Sequence, residues 1–433
     1  MKKIRFQISH FAKIASADIE LPGITVVVGE NNSGKSTVGK ALYALCSVFR
    51  NLDARVRESN MTSLDEAFEH AGLYYPYRRM DGLRERLLDG SIEMDELKKR
   101  LERFFRHRFE NSSSRVEYER YFVSQVRMLL SEVKKIRKIT LSQFREAVVW
   151  DYFDKVFHSQ VIPLFRNHGK TTLNLSNGEE VNVSFDSAVG TIHKVGKPDF
   201  KACYLNGPFV ANLLNSNCSL EALEIYDREL TEELRELQSV SSDSAGVVGA
   251  RKVSNRIKLK KLRKIFDEVI PGTIGKKGKG KLAVTMPGCG EPITFENLSS
   301  GLKSFVLLWH ILDQGLISDG DVLILDEPEV HLHPEWQIVY AHLIVLLCKT
   351  FDLHILLTSH SVDFIHALSL YVRKYKSDAR LRLYKSQPNA NGSVMLKAVP
   401  GNDWERLFDS FVGTIDILSA LRDSLPEETE SGK

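Results

Sequence analysis

The feature that most constrains the fold is a continuous β-branched run, Ile24–Val28, that leads directly into a glycine-rich loop. A run without polar alternation suits a strand that is buried on both faces, as parallel sheets require. The loop reads Gly29-Glu-Asn-Asn-Ser-Gly-Lys-Ser-Thr37, and sequence with helical periodicity follows it. This order of strand, loop and helix matches the phosphate-binding P-loop pattern. The sequence therefore predicts an α/β fold with a nucleotide site at the end of this strand.

The loop residues can be given separate roles in binding ATP and Mg²⁺. Backbone N–H groups close around phosphates, and the following helix N-terminus favours negative charge. We expect Lys35 to reach the β- and γ-phosphates, Ser36 to offer its hydroxyl to Mg²⁺, and Thr37 to bind the α-phosphate. The remaining predicted nucleotide-binding residues of the loop are Gly29, Asn32, Ser33 and Gly34. A chance Gly-Lys-Ser turn is the alternative, and the strand and helix around the loop disfavour it.

A second apolar strand pattern ends in two adjacent acids, Asp326 and Glu327, within Asp321-Val-Leu-Ile-Leu-Asp-Glu-Pro328. A buried strand of this kind delivers both carboxylates at its C-terminal end. We expect Asp326 to hold Mg²⁺ through water and Glu327 to polarise the water that attacks the nucleotide. Taken alone, two consecutive acids after a strand could also be an ordinary helix N-terminus.

Two further motifs resemble those of ABC-type ATPases. Asn297-Leu-Ser-Ser-Gly-Leu-Lys-Ser304 resembles the ABC signature, which in that family contacts the γ-phosphate of ATP bound to the partner subunit. The resemblance implies that Ser299 and Gly301 make this contact, although a Ser-Ser-Gly loop before a helix is also common capping chemistry. Ile355-Leu-Leu-Thr-Ser-His-Ser361 ends a strand pattern at His360, where the family places a histidine on the γ-phosphate.

Within this superfamily the chain resembles the OLD-family and SMC/RecF-like branch. The opening Ile8-Ser-His-Phe-Ala-Lys-Ile14, the long separation of P-loop and signature, and Glu327-Pro-Glu-Val-His-Leu-His-Pro334 carry this resemblance. A transporter usually has Asp where His333 stands. His331 and His333 alone make an incomplete metal site, and we interpret them as part of a loop that signals across a dimer. The glutamine of the family's Q-loop has no clear counterpart in this sequence.

The resemblance implies an ABC-type ATPase head, a mixed sheet with flanking helices, interrupted by a large and mostly helical insertion. We place the head at residues 1–50 and 285–400 and the insertion at 51–284. Alternation on both sides of Asn177-Gly178 predicts a β-hairpin near 171–186. Ser63 and Glu66 have capping-box spacing, which predicts a helix start. Residues 401–433 are expected to form a C-terminal helix and a flexible tail.

The predicted partners follow from the same resemblance. Too few residues follow His360 for the nuclease domain of OLD proteins, which implies a standalone ATPase similar to subunits of Septu-type or retron-associated antiphage systems. Such a subunit dimerises around ATP, or forms a higher even-numbered assembly, and controls a separate effector such as an HNH nuclease. The alternatives are an SMC/RecF-like DNA-repair or DNA-clamping ATPase and, less favoured, a transporter subunit. The sequence has no membrane-spanning run, and its scattered cysteines fit the cytoplasm.

Two surfaces could bind partners. Arg251–Lys281 is strongly basic, with Asp267 and Glu268 its only acids, although the net charge of the chain is only +3. It could contact nucleic acid through phosphates or be a solvated helix face. A C-terminal apolar stripe at helical spacing either packs on its own domain or docks a partner. Its residues are Trp404, Leu407, Phe408, Phe411, Ile415 and Leu418.

Overall fold

The computed structural model describes residues 3–73, 82–109, 115–163, 170–186, 190–214, 219–239, 246–278 and 281–401. The strands are β1 (Ile4–Phe11), β2 (Ile14–Leu21), β3 (Ile24–Val28), β4 (Thr171–Ser176), β5 (Glu180–Phe185), β6 (Gly190–Lys194), β7 (Ala202–Leu205), β8 (Thr273–Lys277), β9 (Lys281–Thr285), β10 (Ile293–Thr294), β11 (Val322–Asp326), β12 (His354–Ser359), β13 (Leu381–Pro388) and β14 (Val394–Ala398). The helices are α1 (Lys35–Arg50), α2 (Leu52–His70), α3 (Leu83–Leu88), α4 (Met94–Phe109), α5 (Arg115–Lys138), α6 (Leu141–Phe157), α7 (Ile225–Ser239), α8 (Val247–Asp267), α9 (Ser300–Asp313), α10 (Pro334–Thr350) and α11 (Val362–Lys374).

The centre of the molecule is an 11-stranded mixed sheet in the order β6-β5-β4-β1-β2-β14-β13-β3-β12-β11-β7. The neighbouring strands β13, β3, β12, β11 and β7 run parallel to one another. The strands β1, β2, β4, β5 and β6 pair antiparallel and extend the sheet on one side. A smaller 3-stranded sheet has the order β10-β9-β8. The predicted fold class, a large mixed sheet with flanking helices, is confirmed.

Both faces of the parallel strands are covered, which explains their uninterrupted apolar sequence. In β3, Val26 and Val28 belong to one buried cluster and Val27 to the other. The same alternation occurs in β11, where Leu325 packs in the first cluster and Ile324 in the second. Because successive side chains point to opposite faces of a sheet, only a continuous apolar run fills both clusters.

The range assigned to the insertion contributes strands to the main sheet as well as helices. β4 and β5 pair around Asn177-Gly178, which confirms the hairpin predicted near 171–186. β4 also pairs with β1. β7 pairs with β11 at the other end of the sheet. Helices α2 to α5 surround a separate apolar cluster that includes Phe68, Leu97 and Leu129.

The predicted helix start at Ser63 is wrong, because Ser63 and Glu66 lie inside α2. Continuous helical sequence on both sides outweighs a local capping pattern, which is only a statistical marker of helix ends. A capping box does occur at Thr140, the N-cap of α6, where the Thr140 and Gln143 side chains bond each other's backbone N–H groups.

Along the part of the chain that the structure describes, no helix is both long and apolar enough to cross a bilayer. The C-terminal stripe between Trp404 and Leu418, and with it the predicted C-terminal helix and tail, lies outside the described residues.

Candidate nucleotide-binding site

The parallel strands bring the predicted catalytic segments to one edge of the sheet. Val28, the last residue of β3, pairs with Ser359, and Thr358 pairs with Asp326. The loops that follow these strands start at the same edge, since the C-terminal ends of parallel neighbours coincide. This edge therefore holds the P-loop, His360 and the Asp326-Glu327 pair, the usual ligand position in an open α/β sheet.

The P-loop wraps tightly at the end of β3. A Cβ at Gly29 would lie 2.0 Å from Ser386 Oγ and 2.7 Å from Ser33 Oγ, so any larger residue would force these serine side chains to move. Asn32 and Gly34 adopt positive φ angles of 60° and 80°, a region that Asn and Gly enter at least cost. Gly34 is also the N-cap of α1, whose first turn has no side-chain cap. The start of α1, with Ser36 and Thr37 half-buried, thus has uncapped N–H groups that a phosphate can accept.

Lys35 is buried, with 3% of its side chain exposed. Its ammonium donates to the carbonyl oxygens of Gly29 at 2.9 Å and Glu30 at 2.8 Å. It also lies 3.3 Å from Glu327 Oε1. Among the described residues its partners are two carbonyls and one carboxylate, and such a buried ammonium suits an anionic ligand, because burial strengthens attraction to phosphate.

Asp326 is fixed by two hydroxyl donors from neighbouring strands. Tyr204 OH donates to Oδ2 at 2.6 Å, and Thr358 Oγ1 donates to Oδ1 at 2.5 Å. Burial raises the pKa of Tyr204 well above its ordinary value, and the nearby Asp326 charge adds to this effect. The phenol is therefore a permanent donor, and the two hydroxyls hold the Asp326 carboxyl group in one orientation.

Glu327 adopts a positive φ of 48°, which costs about 1–3 kcal/mol for a residue with a side chain. Its backbone N donates to Thr358 Oγ1 at 3.0 Å and to the Thr358 carbonyl at 3.2 Å. Its side chain lies between two cationic or potentially cationic groups, with Oε1 at 3.3 Å from both Lys35 Nζ and His360 Nδ1. The bent backbone thus aims the carboxylate at the P-loop lysine.

The signature residues lie at a separate helix start. Ser299 is the N-cap of α9, and its hydroxyl accepts from Leu302 N at 3.4 Å. A Cβ on Gly301 would lie 3.0 Å from the Trp336 ring and 3.2 Å from the His331 carbonyl. Among the described residues, no hydrogen bond or ion pair joins Ser299 or Gly301 to the P-loop. Within one chain, then, the structure joins Lys35, Glu327 and His360 but not the signature residues.

The two histidines of the following loop differ in their contacts, because His331 packs on a ring whereas the exposed His333 makes no side-chain cap hydrogen bond. The His331 ring packs edge-on against Phe209, with 5.1 Å between the ring centroids, and His333 is the N-cap of α10. In the described ranges, no group of three or more His, Cys, Asp or Glu side chains is arranged to hold a metal ion. The P-loop edge nevertheless offers two oxygen ligands, the Ser36 hydroxyl and the Asp326 carboxylate. Mg²⁺ binds such oxygen ligands together with phosphate oxygens and water.

Three residues of this edge were not identified from the sequence. Tyr204 and Thr358 hold Asp326, and Glu329 accepts from Ser359 Oγ at 2.5 Å and from His360 N at 3.2 Å. Each is a polar residue in or beside an apolar strand. A polar residue at such a position is the sequence signal that could have identified it as part of the site. Nothing local in the sequence shows which acid Tyr204 would contact.

The basic region is partly neutralised by its own chain. Lys258 pairs with Asp319, and Arg256 pairs with Asp313. Lys252 is buried, with only 3% exposed. By contrast, Lys260, Lys261 and Lys264 are exposed on α8, and none of them forms an ion pair with another described residue.

The family model described as "AAA domain, putative AbiEii toxin, Type IV TA system" matches residues 252–365. This segment contains Ser299, Asp326, Glu327 and His360, whereas the P-loop lies outside it. No curated protein matches the chain.

Three solved structures of SMC head domains align along nearly the whole chain, at low similarity. The head domain from Thermotoga maritima is 12% identical, with a TM-score of 0.38, covering 92% of this chain and 100% of that one. An SMC head bound to the C-winged helix domain of ScpA is 10% identical, with a TM-score of 0.47 and coverages of 92% and 98%. A head with an extended coiled coil, bound to the C-terminal domain of ScpA derived from Pyrococcus furiosus, is 11% identical, with a TM-score of 0.42 and coverages of 95% and 100%. At these scores the likeness carries no information on function, so the comparisons establish only that residues 252–365 are similar to an AAA-family ATPase domain.

Proposed function

We propose that this chain binds and hydrolyses ATP with Mg²⁺ at the edge formed by the P-loop, Asp326, Glu327 and His360. The observation that carries the proposal is the position of Glu327 Oε1, 3.3 Å from both Lys35 Nζ and His360 Nδ1. A phosphate-binding lysine, a carboxylate that can activate water and an imidazole that can bond a phosphate oxygen thus converge at one point.

Each residue has a defined task in this proposal. The uncapped N-terminus of α1 and Lys35 bind the phosphates, and Thr37 adds a hydroxyl at the α-phosphate. Ser36 and Asp326 hold Mg²⁺, which neutralises phosphate charge when it is bound. Glu327 orients the water and accepts its proton, while His360 contacts the γ-phosphate. Because Lys35 already contacts Glu327, an arriving γ-phosphate competes for the ammonium and leaves the carboxylate available to the water.

Ser299 and Gly301 complete the site from a second copy of the chain. Support comes from the resemblance to the ABC signature and from their lack of contact with the P-loop of their own chain among the described residues. In this arrangement residues 1–50 and 285–400 form the head, 51–284 the insertion, and 401–433 a C-terminal helix and tail. Two ATP molecules then join two heads, in a dimer or a larger even-numbered assembly.

The test is ATP hydrolysis and light scattering on wild type and Glu327→Gln, with and without ATP and Mg²⁺. We expect the variant to bind ATP and form a stable even-numbered assembly while its kcat falls by about 10²–10⁴-fold. Glu268→Gln, an exposed acid at the end of α8, is the control and should behave as wild type. A chain that stays monomeric with ATP, or a Glu327→Gln variant with full activity, contradicts the proposal.

We further propose that the ATPase is the cytoplasmic sensor and regulator subunit of a bacterial antiphage system and controls a separate nuclease. The support is the OLD-like sequence from Glu327 to Pro334 and the family description, which names a putative toxin of a toxin–antitoxin system. Purification from the native operon should bring down a second chain with nuclease activity. DNA cleavage by this chain alone would show that the division of labour is wrong.

An SMC/RecF-like DNA-clamping ATPase is the second candidate, and the exposed Lys260, Lys261 and Lys264 favour it. It predicts that DNA raises the ATPase rate in a salt-sensitive manner and that replacing these lysines by Gln removes the stimulation. Lys258→Gln is the matched control, because Lys258 is already paired with Asp319. A rate that does not respond to DNA excludes this candidate.

A further inference from the structure

Glu329 is a buried acid that the proposed chemistry does not use. Its side chain is 2% exposed, although it lies only two residues after Glu327. Burial raises the pKa of its carboxyl above the ordinary value. Its Oε2 atom is buried and has no hydrogen-bond partner among the described residues. A half-satisfied buried carboxylate destabilises a fold relative to an apolar side chain of similar size, so its position needs an explanation.

The other oxygen of Glu329 provides that explanation. Oε1 accepts from Ser359 Oγ at 2.5 Å and from the backbone N of His360 at 3.2 Å. Ser359 Oγ in turn accepts from Ser361 N at 3.1 Å. One carboxylate oxygen thus bonds to both residues at the end of β12 and fixes the turn that carries His360.

A second set of contacts ties the two loops together on the other side of the same turn. Ser361 Oγ donates to Gln337 Oε1 at 2.8 Å, and Gln337 Nε2 donates to the Glu329 carbonyl at 3.4 Å. The loop after β11 and the turn after β12 are therefore joined twice, once by the Glu329 side chain and once through Gln337. The His360 ring is 42% exposed, and its Nδ1 lies 3.3 Å from Glu327 Oε1 and 4.0 Å from Glu329 Oε1.

We propose that Glu329 is a positioning residue, whose Oε1 fixes the Ser359–His360 backbone so that the imidazole meets Glu327 and the γ-phosphate. The inference rests on the proposed ATPase function, which it deepens. In this proposal Glu329 does not contact the reacting groups itself. Its acceptor oxygen acts through His360, and a small displacement of a positioned catalytic group can lower a rate by about 10²-fold.

The first measurement is hydrogen exchange on a peptide that contains His360 and Ser361. Glu329→Ala removes the acceptor for the His360 amide and releases Ser359 Oγ, so exchange of this peptide should become faster. Glu329→Gln keeps an acceptor oxygen and should restore slow exchange. Asp321→Ala is the matched control, because Asp321 is a buried acid at the opposite end of β11 that accepts from Ser318 and Lys201. Unchanged exchange at His360 in Glu329→Ala overturns the proposal, whatever the activity.

The second measurement is a double-mutant cycle on kcat with Glu329→Ala and His360→Ala. Glu329→Ala alone should lower kcat by about 10–100-fold and leave the ATP dissociation constant within about threefold. In the His360→Ala background it should cause no further loss, since both changes remove the same contact. Losses that multiply, or a loss confined to ATP affinity, overturn the inference. If wild type hydrolyses no ATP, the proposed function fails, and the exchange experiment still decides the role of Glu329.

Discussion

Helices α1 and α9 each carry a buried lysine near the N-terminus, and each lysine bends back onto the segment that precedes its helix. Lys35 is 3% exposed and donates to the Gly29 and Glu30 carbonyls. Lys303 is 6% exposed and donates to the Glu296 carbonyl at 2.9 Å. The two ammonium groups differ in what else surrounds them. Lys35 lies beside the Glu327 carboxylate, whereas Lys303 lies over the rings of Phe209 and Phe295.

The two helix N-termini also differ in their capping. The N-cap of α1, Gly34, is in a left-handed conformation and offers no side-chain cap, while Ser299 caps α9 with its own hydroxyl. An uncapped N-terminus has N–H groups to offer a ligand, and a capped one already satisfies part of them. In the proposed function, the uncapped start of α1 binds phosphate within its own chain. The start of α9 is a stable structure that can present its remaining N–H groups to a second molecule.

The largest effect is expected for Lys35→Met, which keeps the aliphatic stem and removes the ammonium. Loss of a preorganised charge at the transferring phosphoryl group lowers kcat by about 10²–10³-fold. Thermal unfolding measured alongside the ATPase rate separates this loss from destabilisation, because the change also leaves the buried Gly29 carbonyl without its donor. Wild-type activity in Lys35→Met would contradict the idea that the lysine of α1, unlike that of α9, binds phosphate.

Lys303→Met is the matched change at the second helix and should affect stability more than chemistry. It removes the bond to the Glu296 carbonyl and the contacts with two aromatic rings, which lowers the free energy of unfolding by about 1–3 kcal/mol. Denaturant unfolding gives this value directly. If Lys303→Met instead lowers kcat as strongly as Lys35→Met with unchanged stability, both lysines act on phosphate.

The smallest effect concerns the cap of α9. Ser299→Ala should lower the free energy of unfolding by about 0.5–2 kcal/mol, and Ser299→Asp should preserve it, because Asp caps as well as Ser. Under the dimer proposal Ser299→Asp nevertheless lowers hydrolysis, since its carboxylate faces the partner's γ-phosphate. Thr140→Asp, at the capped start of α6, is the control and should change neither quantity. Full activity in Ser299→Asp would mean that the signature start only caps its helix.

The local motifs could be predicted from the sequence because each depends on neighbours along the chain. Glycines at fixed spacing predict a phosphate-binding turn, and an apolar run before two acids predicts a buried strand with carboxylates at its C-terminal end, where Asp326 and Glu327 are half-buried. Three such runs supply the buried strands β3, β11 and β12, whereas their parallel pairing is a tertiary feature. The failure at Ser63 has the same origin, since a capping pattern is too short to override nineteen residues of helix.

Contacts between distant segments could not be predicted, because they depend on which strands become neighbours. Tyr204 reaches Asp326 only because β7, from the range assigned to the insertion, pairs with β11. Ser386 faces Gly29 only because β13 pairs with β3. The tight space at position 29 is thus set by a serine far along the chain. No local pattern contains that information.

The sequence by itself predicted the P-loop pattern, the acids and histidine at strand ends, and the buried strands that carry them, because backbone conformation and hydrophobic periodicity are local properties. Tertiary structure alone decided the hydrogen bonds that hold Asp326, the 3.3 Å approach of Lys35 and His360 to Glu327, and the burial of Glu329 behind them. Those features depend on packing across the sheet, where the free energy of a contact is set by neighbours that are remote in sequence.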